Sequence, residues 1–215
     1  GVVNGQRESF LAPMYEGAMH DPRLLPDFSP ALERILAARK RGEDVALFGD
    51  YDVDGVTASA ILAQTLRRLG MRVRVMIPHR EQDGYGVSVA AVCALVPPAT
   101  LLLTVDNGTN ARDAVAAARR RGADVIILDH HVVQGNLPDG ALVVNAARGG
   151  HKYPFSKLSA AGVAYDYLGL NGDHQHLVAL ADLVEYCRSP LLTEVEGKVG
   201  MDRLEEEARM LDFAW

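Results

Sequence analysis

The sequence is short of cysteines, of long apolar runs and of positive charge. Its 215 residues include only two cysteines, Cys93 and Cys187, which match no CxxC metal spacing. A disulfide framework and a structural zinc site are therefore not expected, and two free thiols favour a cytoplasmic protein. No apolar run is long enough to span a membrane, so we expect no membrane association.

The charge balance bears on the partners of the protein. Lysine and arginine number 22 against 28 aspartates and glutamates, which gives a net charge of −6. Nucleic-acid-binding domains are usually basic, so the composition alone argues against that class of partner. The argument weakens if part of the acidic charge binds cations, because a metal site must be judged with its ions in place.

Continuous apolar runs alternate with helical patterns through the middle of the chain. Strands are predicted at 45–48, 73–77, 101–105, 125–128 and 141–144, and helices between them at 55–69 and 110–121. This alternation predicts the α/β class, with a parallel β-sheet flanked by helices on both faces.

The flanking patterns divide the chain into three parts. They are an irregular N-terminal segment and helix at 1–44, the α/β domain at 45–187 and a C-terminal helical extension at 188–215. Further helices are predicted at 30–41, at 158–187 with an interruption at 169–173, and at 201–211. Ser29 is the expected cap of the first of these helices, and Gly42 is its expected end.

Acidic and imidazole side chains follow three of the predicted strands at the point where each strand ends. They are Asp50, Asp52 and Asp54 after the first run, Asp106 after the third, and Asp129, His130 and His131 after the fourth. In an open parallel sheet, ligands bind beyond the carboxyl ends of the strands. We therefore expect these side chains to meet at one edge of the sheet.

Five carboxylates at one edge repel each other unless something neutralises them. The motifs that carry them contain no lysine or arginine. Oxygen ligands with imidazoles suit Mn²⁺ or Mg²⁺, and the lack of thiolates disfavours structural zinc. A shared carboxylate would hold two ions about 3.5–4 Å apart. The sequence thus predicts a site for two divalent cations.

Each group also has a purely structural interpretation. Asp54 can cap the helix at 55–69, and Asp106 can stabilise a turn with Gly108. The histidines at 130–131 can be packing or surface residues. An accidental convergence requires all of these interpretations to hold together, so we favour the metal site.

At these residues the chain resembles the DHH phosphoesterase superfamily, and in particular its RecJ-like single-strand exonucleases. The resemblance runs from about residue 45 to residue 186. Its motifs in chain order are Gly49 to Gly55, Pro78-His79-Arg80, Gly84-Tyr85-Gly86, Thr104 to Gly108, Asp129-His130-His131, Val144-Asn145, Tyr153-Pro154-Phe155, Ala161 to Ala164 and Ala181 to Val184. The Asp-His-His triplet alone is a weak signal of the family, whereas the whole series of motifs in this order is specific.

The resemblance implies roles for the matching residues. The implied metal ligands are Asp52 and Asp54, one for each ion, Asp106 as the bridge, His130 and Asp182. Catalytic roles fall to His131 near the scissile phosphate, to Asp106, and to Asp50, which can ligate or orient a ligand. Asp129 would hold a histidine in place from outside the ligand set. Taken alone, Asp182 is equally well a solvated charge.

Several features depart from the family pattern. Phe48 stands where other branches carry a metal-binding histidine, which disfavours the pyrophosphatase-like and short-oligonucleotide branches. Asn145-Ala146 replaces the usual Asn-Pro, and the stretch before Asp182 is shorter than the family's Gly-Thr-containing version. Nothing after Asp182 resembles the usual second, substrate-binding domain. Two interpretations stay open: a catalytic domain that works with a separate domain or protein partner, and a natural minimal form.

The resulting hypothesis is two-metal hydrolysis of single-stranded DNA by an exonuclease, with 5′ to 3′ polarity implied by the resemblance alone. Arg80 follows a strand toward the same edge and can contact phosphates. His79 and Tyr85 share its loop, where Tyr85 can stack on a base or pack beside its two glycines. Two alternatives stay open: a phosphodiesterase of short oligoribonucleotides or cyclic dinucleotides, and an inactive scaffold. The retained acids and histidines weigh against the scaffold.

Overall fold

The computed structural model of the chain describes residues 20–95, 97–154, 157–168, 174–187 and 189–213. Most of the predicted irregular segment, Phe155 and the predicted interruption at 169–173 lie outside these residues. Within the described residues the chain forms five β-strands and eight α-helices. In chain order they are α1 (Phe28–Arg41), β1 (Asp44–Phe48), α2 (Val53–Arg68), β2 (Arg72–Met76), α3 (Val89–Ala94), β3 (Leu101–Val105), α4 (Arg112–Arg120), β4 (Asp124–Asp129), β5 (Ala141–Asn145), α5 (Ala160–Leu168), α6 (Gln175–Val184), α7 (Pro190–Val199) and α8 (Met201–Phe213).

The strands form one parallel sheet in the order β2-β1-β3-β4-β5. Strands β1, β3 and β4 are immediate neighbours, with Phe48 opposite Thr104 and Thr104 opposite Ile127. Because all strands run in the same direction, the residues that follow them emerge side by side at one edge. The predicted α/β class with a parallel sheet is confirmed.

Successive strand residues point to opposite faces of the sheet, and helices cover both faces. Leu47 and Leu103 belong to one buried apolar cluster, whereas Ala46 and Leu102 belong to the other. The first cluster includes residues of α1, α2 and the helices after β5, and the second includes residues of α3 and α4. The strands are therefore apolar on both sides, which explains their continuous hydrophobic runs.

The helix after β1 begins two residues earlier than predicted. Its first residue is Val53, and its N-cap is Asp52, whose carboxylate accepts a hydrogen bond from the Gly55 N–H at 2.9 Å. Asp54 lies inside the first turn and is fully buried. The capping interpretation of Asp54 is therefore wrong, because Asp52 occupies the cap position.

Two other helices differ from the sequence pattern. Helix α1 begins at Phe28 with Asp27 at the cap position, not Ser29, while Gly42 ends it in the left-handed conformation as predicted. Helix α3 has six residues and is not predicted at all. Ser88 caps it by accepting a hydrogen bond from the Ala91 N–H at 3.1 Å. A helix this short shows too little periodicity to be recognised in a sequence.

The part of the chain after β5 is helical, as predicted. Helices α5 and α6 occupy the predicted stretch, and α8 extends the predicted final helix to Phe213. Both α7 and α8 pack against α6, so the C-terminal extension covers the first apolar cluster. In the described part of the chain, no helix has both the length and the apolar character that crossing a membrane requires.

Candidate metal centre

The acidic groups of three strand ends meet in one buried cluster. Asp50 follows β1 after a single glycine, Asp106 follows β3 directly, and Asp129 is the last residue of β4. These residues and Asp54 are at most 1% exposed. The structure therefore brings together the carboxylates that the strand ends carry.

Three overlapping groups of side chains have ligand atoms within 4.8 Å of one another. The groups are Asp50, Asp52 and Asp106; Asp106, His130 and His131; and Asp54, His130 and Glu185. Asp106 belongs to two of the groups, and so does His130. Cations in neighbouring groups would thus share a residue as a ligand, which is the arrangement of two-metal sites.

The ring of His130 faces three carboxylates through one nitrogen. Its Nε2 atom lies 3.2 Å from Asp106 Oδ1, 3.5 Å from Asp54 Oδ2 and 3.9 Å from Glu185 Oε2. One ring nitrogen carries at most one proton, so it can donate to only one of these acids. Burial and the neighbouring His131 lower the pKa of His130, which favours the neutral imidazole that binds metals. The arrangement is that of a ligand set rather than a simple ion pair.

Buried oxygens of the cluster lack hydrogen-bond donors among the described residues. Both carboxylate oxygens of Asp106 and the Oδ2 atom of Asp50 are in this state. Burying a carboxylate without a partner is costly, and buried charges in proteins are hydrogen-bonded, paired or bound to metals. Carboxylates with imidazoles and no thiolate suit Mn²⁺ or Mg²⁺, so the residues present fit such ions.

The acids of the cluster resist ionisation. Burial raises the pKa of Asp50 to about 6, and it raises the pKa values of Asp54 and Asp106 well above the usual carboxyl range. Repulsion from Asp52 raises the pKa of each of them further. An opposite charge within a few ångströms stabilises the ionised form of a carboxylate. Cation binding would therefore relieve a repulsion that the fold creates.

His131 is held between Asp129 and Tyr85. Its Nδ1 atom lies 2.8 Å from Asp129 Oδ1, and its Nε2 atom lies 2.8 Å from the Tyr85 hydroxyl. The hydrogen bond to Asp129 raises the pKa of His131. Burial alone would raise the pKa of Asp129, but the bond with His131 lowers it overall. The pair therefore favours an imidazolium beside Asp106, whose Oδ1 atom is 3.9 Å from His131 Nδ1.

The backbone around the cluster is tightly constrained. A Cβ atom at Gly55 would lie 2.6 Å from both the Cβ and the carbonyl oxygen of Asp50, so only glycine fits there. Asp106 has a φ of 61°, which is uncommon for a residue other than glycine. Backbone strain of this kind concentrates at functional sites.

Asp182, an implied metal ligand, lies outside the three groups of ligand atoms. Its carboxylate accepts hydrogen bonds from the Ser159 hydroxyl at 2.6 Å and from the Ser189 hydroxyl. Ser159 immediately precedes α5, and Ser189 is the N-cap of α7. Because its carboxylate joins these two helix starts, Asp182 has a structural role in this fold, and its placement does not support ligation.

The residues implied as substrate contacts lie at different places around the cluster. Tyr85 reaches it through His131. The Arg80 guanidinium lies 4.7 Å from the centroid of the Tyr51 ring, beside the turn that carries the first acids. The His79 ring accepts a hydrogen bond from a backbone N–H within its own turn. The structure thus brings Tyr85 and Arg80 near the acids and gives His79 a local contact.

Glu185 is the member of the cluster that the sequence patterns do not single out. It follows α6 directly, three residues after Asp182. Residues three apart are neighbours on one face of a helix, so the spacing alone does not distinguish the two acids. The presence of two acids near one helix end was the available signal. Only the packing of α6 shows which of them points to His130.

Known proteins resemble this chain in sequence over the same residues. Residues 44–186 match the DHH family, N-terminal domain. The single-stranded-DNA-specific exonuclease RecJ of Bacillus subtilis is 36% identical over 147 residues, which cover 68% of this chain and 19% of that protein. RecJ of Thermus thermophilus is 37% identical over 150 residues, which cover 70% of this chain and 22% of that protein.

A solved structure supports the same relationship. The crystal structure of exonuclease RecJ bound to manganese matches with a TM-score of 0.69 at 30% identity, over 79% of this chain and 47% of that one. The chain spans about a fifth to a quarter of the length of the curated relatives it matches. The family match begins with β1 and extends past Glu185, so it includes the whole sheet and the acidic cluster. On this evidence the chain belongs to the DHH family.

Proposed function

We propose that the protein hydrolyses phosphodiester bonds in a metal-dependent reaction, as a RecJ-like exonuclease that shortens single-stranded DNA from its 5′ end. The observation that carries this proposal is the buried Asp106 carboxylate. It belongs to two ligand groups, and neither of its oxygens has a hydrogen-bond donor among the described residues. The relatives supply the substrate class, since the Bacillus subtilis protein is a single-stranded-DNA-specific exonuclease and solved RecJ structures contain manganese.

Two Mn²⁺ or Mg²⁺ ions are the proposed cofactor. The ligands available to them are Asp50, Asp52, Asp54, Asp106 and His130. When bound, such ions lower the pKa of a coordinated water and neutralise charge on the phosphate oxygens. Asp106 suits the bridging position, and its N–H donates to the Leu128 carbonyl at 3.0 Å, which fixes the carboxylate between β3 and β4.

His131 is the proposed proton donor to the phosphate or to the leaving oxygen. Its Nδ1–H is engaged by Asp129, so the Nε2–H is the one that can reach an anionic oxygen. That proton faces the Tyr85 hydroxyl, which a phosphate oxygen can replace. Asp129 acts by positioning, because its carboxylate holds the ring and favours its charged form.

The DNA strand is proposed to approach along the loop that carries Arg80 and Tyr85. Tyr85 is 58% exposed, which leaves its ring open to base stacking, and Arg80 lies beside Tyr51 where it can contact a phosphate. A separate domain or protein partner would supply further grip on the strand. The two free cysteines are consistent with a cytoplasmic location for this activity.

The test uses Mn²⁺ and single-stranded DNA labelled at either end, with matched RNA and a cyclic dinucleotide as competing substrates. The control is Asp106→Asn, because asparagine has the same size and tolerates a positive φ. We expect stepwise loss from the 5′ end, no reaction with chelator, and a rate about 10²-fold lower or more in the variant. Cleavage of the cyclic dinucleotide alone would show that the protein is a phosphodiesterase of small nucleotides. The absence of metal-dependent cleavage of any substrate would show that it is an inactive scaffold.

A further inference from the structure

Glu185 stands opposite Asp54 at the outer side of the metal centre. Its side chain is 34% exposed, whereas that of Asp54 is fully buried. Glu185 and Asp52 both line an open cavity of about 550 Å³ between the start of α2 and helix α8. Glu185 therefore connects the buried ligand atoms with the solvent from which an ion would enter.

The distances around His130 fit a shared cation. In an octahedral site with bonds of about 2.1 Å, neighbouring ligand atoms are about 3 Å apart and opposite ones about 4.2 Å apart. His130 Nε2 lies 3.2 Å, 3.5 Å and 3.9 Å from the oxygens of Asp106, Asp54 and Glu185. All three separations lie between these limits. The ligand atoms of Asp54, His130 and Glu185 also lie within 4.8 Å of one another, so these three side chains are close enough to share one ion.

Hydrogen bonding does not account for the same convergence. The Asp54 oxygens already accept hydrogen bonds from the Ala160 N–H at 2.6 Å and the Ala161 N–H at 2.8 Å. Asp106 is 1% exposed, and neither of its oxygens has a donor among the described residues. A third carboxylate, that of Glu185, directed at the same imidazole nitrogen adds repulsion unless a multivalent cation lies between them.

We propose that Glu185 is a direct ligand of one divalent cation, in a set with Asp54 and His130. This inference rests on the metal centre of the proposed function but not on its DNA substrate. The carboxylate of Asp182, three residues earlier, accepts hydrogen bonds from Ser159 and Ser189 at two helix starts. Glu185 is the acid of this helix end whose carboxylate reaches His130.

The first test measures Mn²⁺ binding by titration calorimetry, with no nucleic acid present. The matched control is Glu205→Gln in α8, because Glu205 lines the same cavity and its removal changes the net charge equally. We expect Glu185→Gln to weaken one Mn²⁺ site about tenfold or more. Glu205→Gln should change the same affinity by no more than about twofold, since exposed charges act weakly at a distance. A Glu185→Gln affinity that falls no further than that of the control overturns the inference.

A second variant separates ligation from a general effect of charge. Glu185→Cys places a soft thiolate at the same position, and a thiolate bound to Co²⁺ gives a charge-transfer absorption in the near ultraviolet. Glu205→Cys is the control, and it also corrects for the native Cys93 and Cys187. We expect the absorption in Glu185→Cys alone, in proportion to bound Co²⁺. Weaker Mn²⁺ binding in Glu185→Gln without this absorption in Glu185→Cys would mean action by charge alone, which also overturns the inference.

The metal measurement and the nuclease assay fail separately. A protein that binds Mn²⁺ through Glu185 but shortens no single-stranded DNA would refute the proposed substrate and leave the ligand assignment intact. If the wild-type protein degrades DNA but the Glu185→Gln variant binds Mn²⁺ like the control, the proposed substrate is supported and the ligand assignment is refuted. A wild-type protein that binds no Mn²⁺ would refute the ligand assignment.

Discussion

Asp129, His131 and Tyr85 form a line of hydrogen bonds that ends beside the metal centre. The Asp129 carboxylate also accepts the backbone N–H groups of His130 at 2.8 Å and of Thr109 at 3.0 Å. These bonds fix its position and leave it little freedom to swing toward the ligand groups. Asp129 therefore orients His131, and beyond it the Tyr85 hydroxyl donates to the backbone carbonyl of Asp106 at 3.4 Å.

Removal of the Tyr85 hydroxyl should affect the reaction but not the metal. The ring of Tyr85 is exposed, but desolvation around its hydroxyl and the nearby Asp106 raise its pKa, so the hydroxyl keeps its proton. It lies 2.8 Å from His131 Nε2. We expect Tyr85→Phe to lower kcat about fivefold, the equivalent of one hydrogen bond of about 1 kcal/mol. Mn²⁺ affinity should stay within about twofold of wild type, because the hydroxyl contacts the backbone carbonyl of Asp106 and not its carboxylate.

A double-mutant cycle tests whether this hydroxyl acts through His131. In a His131→Asn background, Tyr85→Phe should cause almost no further loss of kcat, because the contact it removes is already gone. The same loss in both backgrounds would show that Tyr85 acts on its own, for example by stacking on a base.

Asp182→Ala should lower stability and leave metal binding nearly unchanged. The substitution removes a buried acceptor from the Ser159 and Ser189 hydroxyls, which then lose their partner inside the fold. We expect the free energy of unfolding to fall by about 3 kcal/mol. Urea unfolding in the presence of chelator measures this loss. If Mn²⁺ affinity falls instead while stability in chelator is unchanged, Asp182 is a ligand as its motif implies.

The acids at the strand ends could be predicted from the sequence, and Glu185, which lies beside a helix, could not. Asp50, Asp106 and Asp129 each follow an apolar run, and parallel strands bring their ends together whatever the details of packing. The position of Glu185 depends on the rotation of α6 about its axis. That rotation is determined by the contacts of α6 with α2, α7 and α8, which no local sequence pattern encodes.

The start of α2 is the element on which the first acids depend. Its first turn packs directly on the turn after β1, where the missing side chain of Gly55 makes room for Asp50. Asp52 caps the same helix through the Gly55 N–H. One turn of helix thus positions three acids, and its register decides which of them is buried.

Two glycine substitutions should have opposite effects on stability. Gly55→Ala would force the turn away from the helix, because its Cβ would lie 2.6 Å from Asp50. We expect a loss of about 2 kcal/mol and weaker Mn²⁺ binding. Gly197 lies inside α7 with nothing within 4 Å of a Cβ, so Gly197→Ala should stabilise the protein by about 0.5–1 kcal/mol. Urea unfolding of both variants measures the two effects, and a stable Gly55→Ala protein with normal Mn²⁺ affinity would contradict the packing argument.

The strands were predictable as elements, whereas their order and some helix starts were not. β3 lies beside β1, although β2 comes between them in the chain, and a hydrophobic run contains no information on such a neighbour. Helix α3 is too short to show a helical period. Helix α2 begins earlier than the sequence predicts, because Asp52 and not Asp54 is its N-cap. The local sequence contains several residues that could cap a helix, and tertiary packing determines which of them does.

The whole molecule supports its acidic cluster by burying apolar residues on both sides of the sheet. The two apolar clusters stabilise the fold, while the acids at the sheet edge oppose it through repulsion and lost hydration. A cation that binds the folded chain but not the unfolded chain offsets part of that cost. Stability and metal content should therefore be strongly coupled in this protein.

Asp106→Asn should reveal this coupling as a reversal of relative stability. In chelator the variant should be more stable than wild type by about 1 kcal/mol or more, because it replaces a buried carboxylate that lacks a donor with a neutral amide. In Mn²⁺ at about 100 times the dissociation constant, wild type gains about 2.7 kcal/mol for each site, and the variant should lose most of this gain. Thermal unfolding of both proteins, in chelator and in Mn²⁺, shows which protein is the more stable under each condition. A variant that is less stable than wild type in chelator would show that Asp106 stabilises the fold by itself, and the repulsion within the cluster would then not be the reason that it binds cations.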